Sequence, residues 1–254
     1  RFEDEDEIST EFYFKYRFKI ENTYVVRFKN QIVSALQIVP FKVKDYEDSY
    51  FILGVSTRRD YEGQGFMKLL MNHVLEVYKG KRIYLQAYHP EIYVPFGFKE
   101  SHRHILYKLD KAKYALPSRI CLSQDINHLY DAYNLYVRDF SHYLIRDEDY
   151  FNNYLRKRCA AFNDSILTFK NEYGQQGYMI YNDKGKFVYI SEFIYSKEYL
   201  DDILKTISVY FYKDIRIETD CMASIHGEKT DMITMMCNQE DDIPLEKRYI
   251  NEIY

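Results

Sequence analysis

Two rhythms of apolar and polar residues alternate along this chain. Thr23 to Phe28 and Gln31 to Pro40 read as strands joined by a tight turn at Lys29-Asn30, and the Ile32–Ile38 stretch suits a central strand. Phe41 to Tyr46 reads as an edge segment. The apolar run Phe51-Ile52-Leu53-Gly54-Val55 predicts a buried strand, and the polar residues Ser56 to Glu62 predict a turn. Gly63-Gln64-Gly65 then opens an amphipathic helix in which Phe66, Leu69, Leu70, His73, Val74 and Val77 recur at helical spacing. Ahead of all this, Ile8 to Phe18 predicts a helix with aromatics on one side, preceded by a frayed acidic Arg1–Glu7. After the glycine-led helix come a strand at Arg82–Gln86, a short helical turn presenting Tyr93, and a strand from Phe98 to Leu109.

Asp110 to Arg119, containing Pro117, reads as a linker. Beyond it the pattern predicts helices near 124–138 and 147–161, strands near 165–171, 176–182 and 187–195, a helix over 198–211, and strands at 215–219 and 232–237. This repeats the layout of the first block and points to an internal duplication, with domains at 1–112 and 113–254. The copies differ at one place. Where the first has Glu62-Gly63-Gln64-Gly65, the second runs Tyr195-Ser196-Lys197-Glu198-Tyr199-Leu200 without a glycine.

Strand, glycine turn and helix start together make an anion site. The first turn of a helix has N–H groups without intrahelical partners at the positive end of the helix dipole, and glycines let the main chain approach a ligand closely. A diphosphate is the expected guest. A P-loop would need Lys-Ser/Thr after the last glycine, whereas Phe66-Met67 stands there; a dinucleotide fingerprint would need a third glycine. With no lysine and no magnesium ligand in the loop, coenzyme A held by main-chain amides fits best.

The stretch Val55-Ser56-Thr57…Tyr61-Glu62-Gly63-Gln64-Gly65-Phe66-Met67 resembles the acetyl-CoA loop of the GNAT acetyltransferases. Their pattern Gln/Arg-x-x-Gly-x-Gly/Ala falls on Glu62, Gly65 and Met67, so the central glycine is kept and two marked positions are altered. Tyr93-Val94-Pro95-Phe96-Gly97-Phe98 resembles the family's Tyr-x-x-x-Gly-Phe/Tyr element, whose tyrosine lies beside the coenzyme A sulfur. An intact first half with a degenerate second half resembles the tandem part of the enhanced intracellular survival (Eis-like) acetyltransferases. The resemblance implies an α+β fold of two GNAT-like domains, each a mixed twisted sheet covered by helices, with the extreme N-terminal strand of the first missing. It implies transfer of acetyl from acetyl-CoA to a primary amine on a small molecule or peptide. Val55 and Thr57 would give main-chain contacts to the pantetheine arm, residues Glu62, Gly63, Gln64, Gly65, Phe66 and Met67 would cradle the diphosphate, and Tyr93 would be the general acid. In larger members the C-terminal carboxylate is the base, which makes Tyr254 a candidate. Two alternatives stay open: an acyl-CoA-binding sensor without turnover, and an aminoacyl transferase.

Bulk composition narrows the classes. The chain has 254 residues, 46% hydrophobic and 29% charged, which is globular rather than disordered. A net charge of −4 excludes the basic footprint of a general nucleic-acid binder and suits a cationic amine. No apolar run reaches the roughly 18 residues of a membrane-spanning helix, and a cytoplasmic location is expected. Cys121, Cys159, Cys221 and Cys237 are widely spaced and read as free thiols, so no metal is expected. His102 and His104 alternate on one strand face, read here as solvated, and Arg156-Lys157-Arg158 reads as a solvated helix face. His89 and Glu91 are further candidates near Tyr93, and Arg58 and Arg59 could meet the 3′-phosphate of coenzyme A.

Overall fold

The computed structural model describes residues 7–46, 48–87, 89–116 and 118–251. In chain order its elements are α1 (Glu7–Tyr16), β1 (Thr23–Phe28), β2 (Gln31–Pro40), β3 (Ser49–Thr57), α2 (Phe66–Val77), β4 (Arg82–Leu85) and β5 (Lys99–Leu109). There follow β6 (Cys121–Ser123), α3 (Leu129–Val137), β7 (His142–Tyr143), α4 (Arg156–Phe162), β8 (Ser165–Asn171), β9 (Gly174–Asp183), β10 (Phe187–Tyr195), α5 (Leu200–Tyr210), β11 (Asp214–Thr219), β12 (Gly227–Cys237) and β13 (Arg248–Tyr249). The chain forms two compact units, residues 1–102 with 233–242, and residues 103–232 with 243–254. These units interleave along the chain; the division at 112 stays a proposal about the internal repeat.

In the first unit β1, β2 and β3 form an antiparallel meander and β4 lies parallel to β3. Lys29 and Asn30 both take positive φ, 49° and 60°, as a two-residue hairpin turn demands. A parallel neighbour needs a crossover, and α2 supplies it. The outer edge of β4 is covered by the end of β12, with Met236 opposite Leu85 and Cys237 opposite Tyr84. That segment is fastened by Asn238, whose Oδ1 accepts from the Ile83 N–H at 2.8 Å, and by a buried Arg82–Asp241 ion pair at 2.8 Å. Met236 then joins Leu36, Ile52, Leu70, Val74 and Phe98 in the core.

The inward face of α2 differs from the expected stripe. Leu70, Met71 and Val74 are buried, with Met67 and Tyr78 packed beside them, whereas Leu69 and Val77 are more than half exposed. The methionines complete the i, i+3, i+4 row, and the stripe read from sequence lay one residue out of phase. Phe66 rests instead against the rings of Phe28 and Tyr61. Phe41–Tyr46 forms a turn closed by a Val43–Tyr46 bridge rather than a strand.

The second unit pairs β6, β8, β9 and β10 antiparallel in that order, sets β11 parallel to β10, and adds the second half of β5 antiparallel to β11. Helix α3 begins later than expected because Ser123 Oγ and Asp125 Oδ1 accept main-chain N–H groups two residues on, forming turns that compete with a helix. Arg158 does not lie on a solvated face: it is buried, paired with Asp164 at 2.7 Å. In the expected linker, Tyr114 is buried and its hydroxyl accepts from the His226 N–H at 2.9 Å, while Pro117 lies outside the described residues. All four cysteines are free thiols.

Candidate functional site

A glycine in the middle of β3 decides the shape of the site. Gly54 has φ of 58°, in the left-handed region, and is exposed. Between the pairs Gln37–Leu53 and Ala35–Ser56, Gly54 and Val55 together face Leu36, so β3 carries a bulge. On its other side β3 pairs with β4 only as far as Ile52–Leu85, where β4 ends. From Leu53 to Thr57 the strand therefore continues along β2 with no strand on its β4 side among the described residues. It is held to β2 by Ser34, whose Oγ donates to the Ser56 carbonyl at 2.8 Å and lies 3.1 Å from Thr57 Oγ1, and by the Arg58 N–H donating to the Val33 carbonyl at 2.9 Å. Beyond Ile52–Leu85 one edge of β3 is thus left open. That edge offers main-chain groups to an extended ligand, the chemistry of strand addition.

After β3 comes the glycine loop expected to cradle an anion. A single 3₁₀ turn, Arg59–Tyr61, leads to Glu62, and Gly63 and Gly65 take φ of 70° and 84°, which only glycine adopts without strain. Gly65 caps α2, and Leu69 is the first residue of the helix whose N–H meets a main-chain acceptor, the Gly65 carbonyl at 2.9 Å. The N–H groups of Phe66, Met67 and Lys68 precede it and remain for a ligand. Gln64 Nε2 donates to the Asp60 carbonyl at 3.1 Å and so braces the loop. Glu62 is exposed and forms no ion pair among the described residues.

Tyr93 sits between two 3₁₀ turns, Pro90–Ile92 and Val94–Phe96, and the chain reverses at Gly97 with φ of 87°. Its ring packs edge-on to Phe98 at 6.3 Å, against the same core cluster as Val55 and Met67. The tyrosine, the open strand and the first turn of α2 are thus tied to one apolar body. The Tyr93 hydroxyl has no protein hydrogen-bond partner among the described residues, and burial pushes its ionisation above the ordinary value, so it holds its proton.

Residues 1–101 match the family model described as an acetyltransferase (GNAT) domain. The matched segment lies in the first unit. Solved structures show the same fold at low identity. A probable N-acyltransferase from Enterococcus faecalis matches at 16% identity and TM-score 0.66, over 85% of this chain and 61% of that one. Eis1 from Mycobacterium abscessus matches at 10% identity and TM-score 0.64, over 87% and 64%. A tandem GNAT protein of the clavulanic acid biosynthesis pathway matches at 11% identity and TM-score 0.55, over 94% and 90%. The chain therefore spans about three fifths of the length of the Enterococcus and Mycobacterium structures. No curated protein matches. The α+β, tandem GNAT-like architecture expected from sequence is the one observed.

The remaining candidates divide between the two units. His89 and Glu91 face each other at 3.2 Å, both largely exposed. Arg58 is engaged with Gln31 and Asp60, which leaves Arg59 the freer cation beside the cradle. His102 and His104 are buried, not solvated. His102 Nδ1 lies 2.9 Å from Ser101 Oγ. In the second unit His104 Nδ1 lies 2.9 Å from Glu218 and its ring stacks on Tyr249. Burial alone would raise the Glu218 carboxyl, but hydrogen bonds from His104 and Tyr189 hold it below its ordinary value. Among the described residues no group of three or more His, Cys, Asp or Glu side chains is placed to hold a metal, and no helix is long and apolar enough to cross a membrane. Tyr254 lies outside the described residues.

Sequence reasoning missed two residues. Gly54 passed as part of an apolar strand, although an isolated glycine inside a strand pattern is itself the signal of a bulge. Tyr13, in α1, places its hydroxyl 3.9 Å from where a Cβ on Gly54 would stand. No local pattern marks it, because the contact joins residues forty apart.

Proposed function

We propose that this chain transfers an acetyl group from acetyl-CoA to a primary amine, with all donor contacts in the first unit. The observation that carries the reading is the unpaired stretch of β3 beyond Ile52–Leu85, which bulges at Gly54 and leads in sequence to the glycine-capped start of α2. The N–H groups of Gly63 to Met67 hold the diphosphate, and the main chain at Val55 and Thr57 holds the pantetheine arm as an added strand. The thioester then lies along this open edge, toward Gly54. The neutral amine attacks the carbonyl carbon, a C–N bond forms, the C–S bond breaks with its electron pair going to sulfur, and the now cationic nitrogen sheds one proton to water. Tyr93 gives its proton to that thiolate, as a phenol kept protonated by burial can do. Binding both reactants in one geometry supplies most of the acceleration.

The net charge of −4 favours a cationic acceptor from solution. The test is calorimetric titration with acetyl-CoA beside a Gly65→Asp control, followed by thiol release over a panel of primary amines. Micromolar binding lost in the control, with thiol release from at least one amine, is the expected result. Absence of binding overturns the reading, and binding without turnover on any amine makes the chain an acyl-CoA-binding module.

A further inference from the structure

Strand β4 is shorter than both of its neighbours. It ends at Leu85, which pairs with Ile52 of β3 on one side and with Met236 of β12 on the other. Past that row the parallel strand β3 runs on through Leu53 to Thr57. The antiparallel β12 carries Met235, Thr234 and Ile233 past it within the first unit. Gln86 and Ala87, which follow β4, are outside the ladder. Counting two residues on from each pair sets Gly54 and Thr234 at one level, with no strand between them among the described residues. Their strands are two ladder spacings apart, about 10 Å, the width left by the missing strand.

Side chains alternate along a strand, so Thr234 projects to the same side of the sheet as Met236. That side is the core formed with Leu70, Val74 and Phe98, against which Val55, Ala87 and Tyr93 pack. Thr234 therefore stands on the Tyr93 side of the sheet, level with the bulge. Its hydroxyl is the odd group there. The residue is 6% exposed, and Oγ1 is buried without a hydrogen-bond partner among the described residues. A hydroxyl stripped of water and left unpaired costs stability, and a valine of nearly the same shape would avoid that cost. A threonine here gains something only when a ligand supplies the missing partner.

We propose that Thr234 contacts the reacting thioester, its hydroxyl donating to the acyl carbonyl oxygen. The proposal rests on the acetyl-CoA reading above, with the pantetheine arm along β3 and the thioester toward Gly54. When the amine adds to the carbonyl carbon, the C=O π pair moves to oxygen, and the hydrogen bond from Thr234 strengthens as that charge grows. The pair then returns, C=O forms again and the thiolate leaves, while Thr234 keeps its proton throughout. Thr234 and Tyr93 thus serve different atoms, the one oxygen and the other sulfur. Thr234 lies far beyond the family-matched residues 1–101, so that segment owes one of its reacting contacts to the strand that returns at 233–242.

The experiment compares the whole chain with its Thr234→Val and Thr234→Ser variants. It reads thiol release from acetyl-CoA with an amine that the unaltered chain uses, calorimetric affinity for coenzyme A and acetyl-CoA, and urea unfolding without ligand. Thr234→Val should lower kcat by about 10²-fold, as loss of one oxyanion donor does. Its coenzyme A affinity should be unchanged, and its urea midpoint should hold or rise because an unpaired buried hydroxyl has gone. Thr234→Ser, which keeps the hydroxyl, should retain most of kcat. Unchanged kcat in Thr234→Val, or an equal loss in Thr234→Ser, overturns the contact. A urea midpoint that falls with kcat in Thr234→Val overturns it in favour of a structural hydroxyl. Where no amine is turned over, binding decides. The unaltered chain should then hold acetyl-CoA at least about threefold tighter than coenzyme A, the worth of one hydrogen bond, and Thr234→Val should hold the two alike. No preference in the unaltered chain, or one that survives in Thr234→Val, overturns the contact. Failure of coenzyme A itself to bind overturns the acetyl-CoA reading, and the contact with it.

Discussion

The two β-strand-to-helix passages, β3 into α2 and β10 into α5, are built alike up to a single point. Each strand pairs in parallel over four positions, Ser49 to Ile52 with Arg82 to Leu85 and Phe187 to Ile190 with Asp214 to Ile217. Each then bulges, at Gly54-Val55 in the first and at Ser191 in the second. Each ends in a 3₁₀ turn, Arg59–Tyr61 and Lys197–Tyr199. There the likeness stops. The first inserts Glu62 to Gly65 before its helix, whereas the second enters α5 directly at Leu200. After the bulge the first strand is open, with Gly54 exposed and Val55 to Thr57 half-buried, while Glu192 to Tyr195 are buried. Glu192 takes the place of Gly54 and is engaged by Arg146 at 2.8 Å, by the Tyr178 hydroxyl at 2.5 Å and by Asn251 Nδ2 at 3.3 Å. The bulge thus belongs to the fold, and two further features set the first copy apart: a glycine loop and an exposed strand edge. The second copy has neither.

The largest effect is expected where the second copy is sealed. Arg146 and Glu192 are both fully buried, and Arg146 also stacks on Tyr133 and Tyr150. Arg146→Ala leaves the Glu192 carboxylate without its cation and should cost about 3–5 kcal/mol, read as a loss of unfolding free energy in urea. Coenzyme A binding in the folded fraction should be unchanged, and a fall in affinity equal to that of a loop variant would erase the distinction between the copies.

Next comes conversion of the first copy into the second. Deleting Glu62 to Gly65, or placing Asp at Gly65, should weaken acetyl-CoA binding by at least about 100-fold, some 2.7 kcal/mol. The deletion removes the cradle outright. Asp at Gly65 puts a carboxylate at the diphosphate and strains a φ of 84°. Retained affinity in the deletion would mean that the strand edge, and not the cradle, carries the binding.

How far this contrast was legible without coordinates follows from its physics. The cradle is local, since turn glycines and helix periodicity are written in consecutive residues, and the hairpin at Lys29-Asn30 and the strands β1 and β2 were read for the same reason. The sealing of the second copy is not local: Arg146, Tyr178 and Asn251 reach Glu192 across segments far apart in sequence. Likewise His102 and His104 looked like alternating surface residues because the polar groups that compensate their burial, Ser101 and Glu218, include one more than a hundred positions away. The arrival of Met236 and Asp241 in the first unit was invisible for that reason too. The phase error along α2 has a different origin, in methionines too neutral in pattern to be counted as core.

Tyr93 tests whether the open copy is a reaction site as well as a binding site. Tyr93→Phe keeps the ring packed on Phe98 and removes only the proton donor, so kcat should fall by about 10²-fold with acetyl-CoA affinity unchanged. The direction of its ionisation adds a pH signature. A phenol raised above its usual value of about 10 stays protonated through pH 9, so the unaltered chain should show no fall in kcat from this group between pH 7 and 9. Equal loss of kcat and affinity in Tyr93→Phe would make this residue part of the binding wall instead.

The smallest effect separates the cradle's geometry from its charge. Glu62 stands where the loop it resembles usually has Gln or Arg, exposed and without an ion pair among the described residues. A carboxylate near a diphosphate repels it, but in water that repulsion is screened, and Glu62→Gln should tighten acetyl-CoA binding by only about 2–5-fold, within the range of exposed charge pairs. The gain should shrink as ionic strength rises past about 0.15 M, where the screening length is about 8 Å. A gain that ignores salt would come from a rearranged loop, and a gain well beyond tenfold would mean that Glu62 lies desolvated against the ligand. Either result would assign to this one side chain a control over donor binding that the main-chain amides of the cradle are here taken to hold.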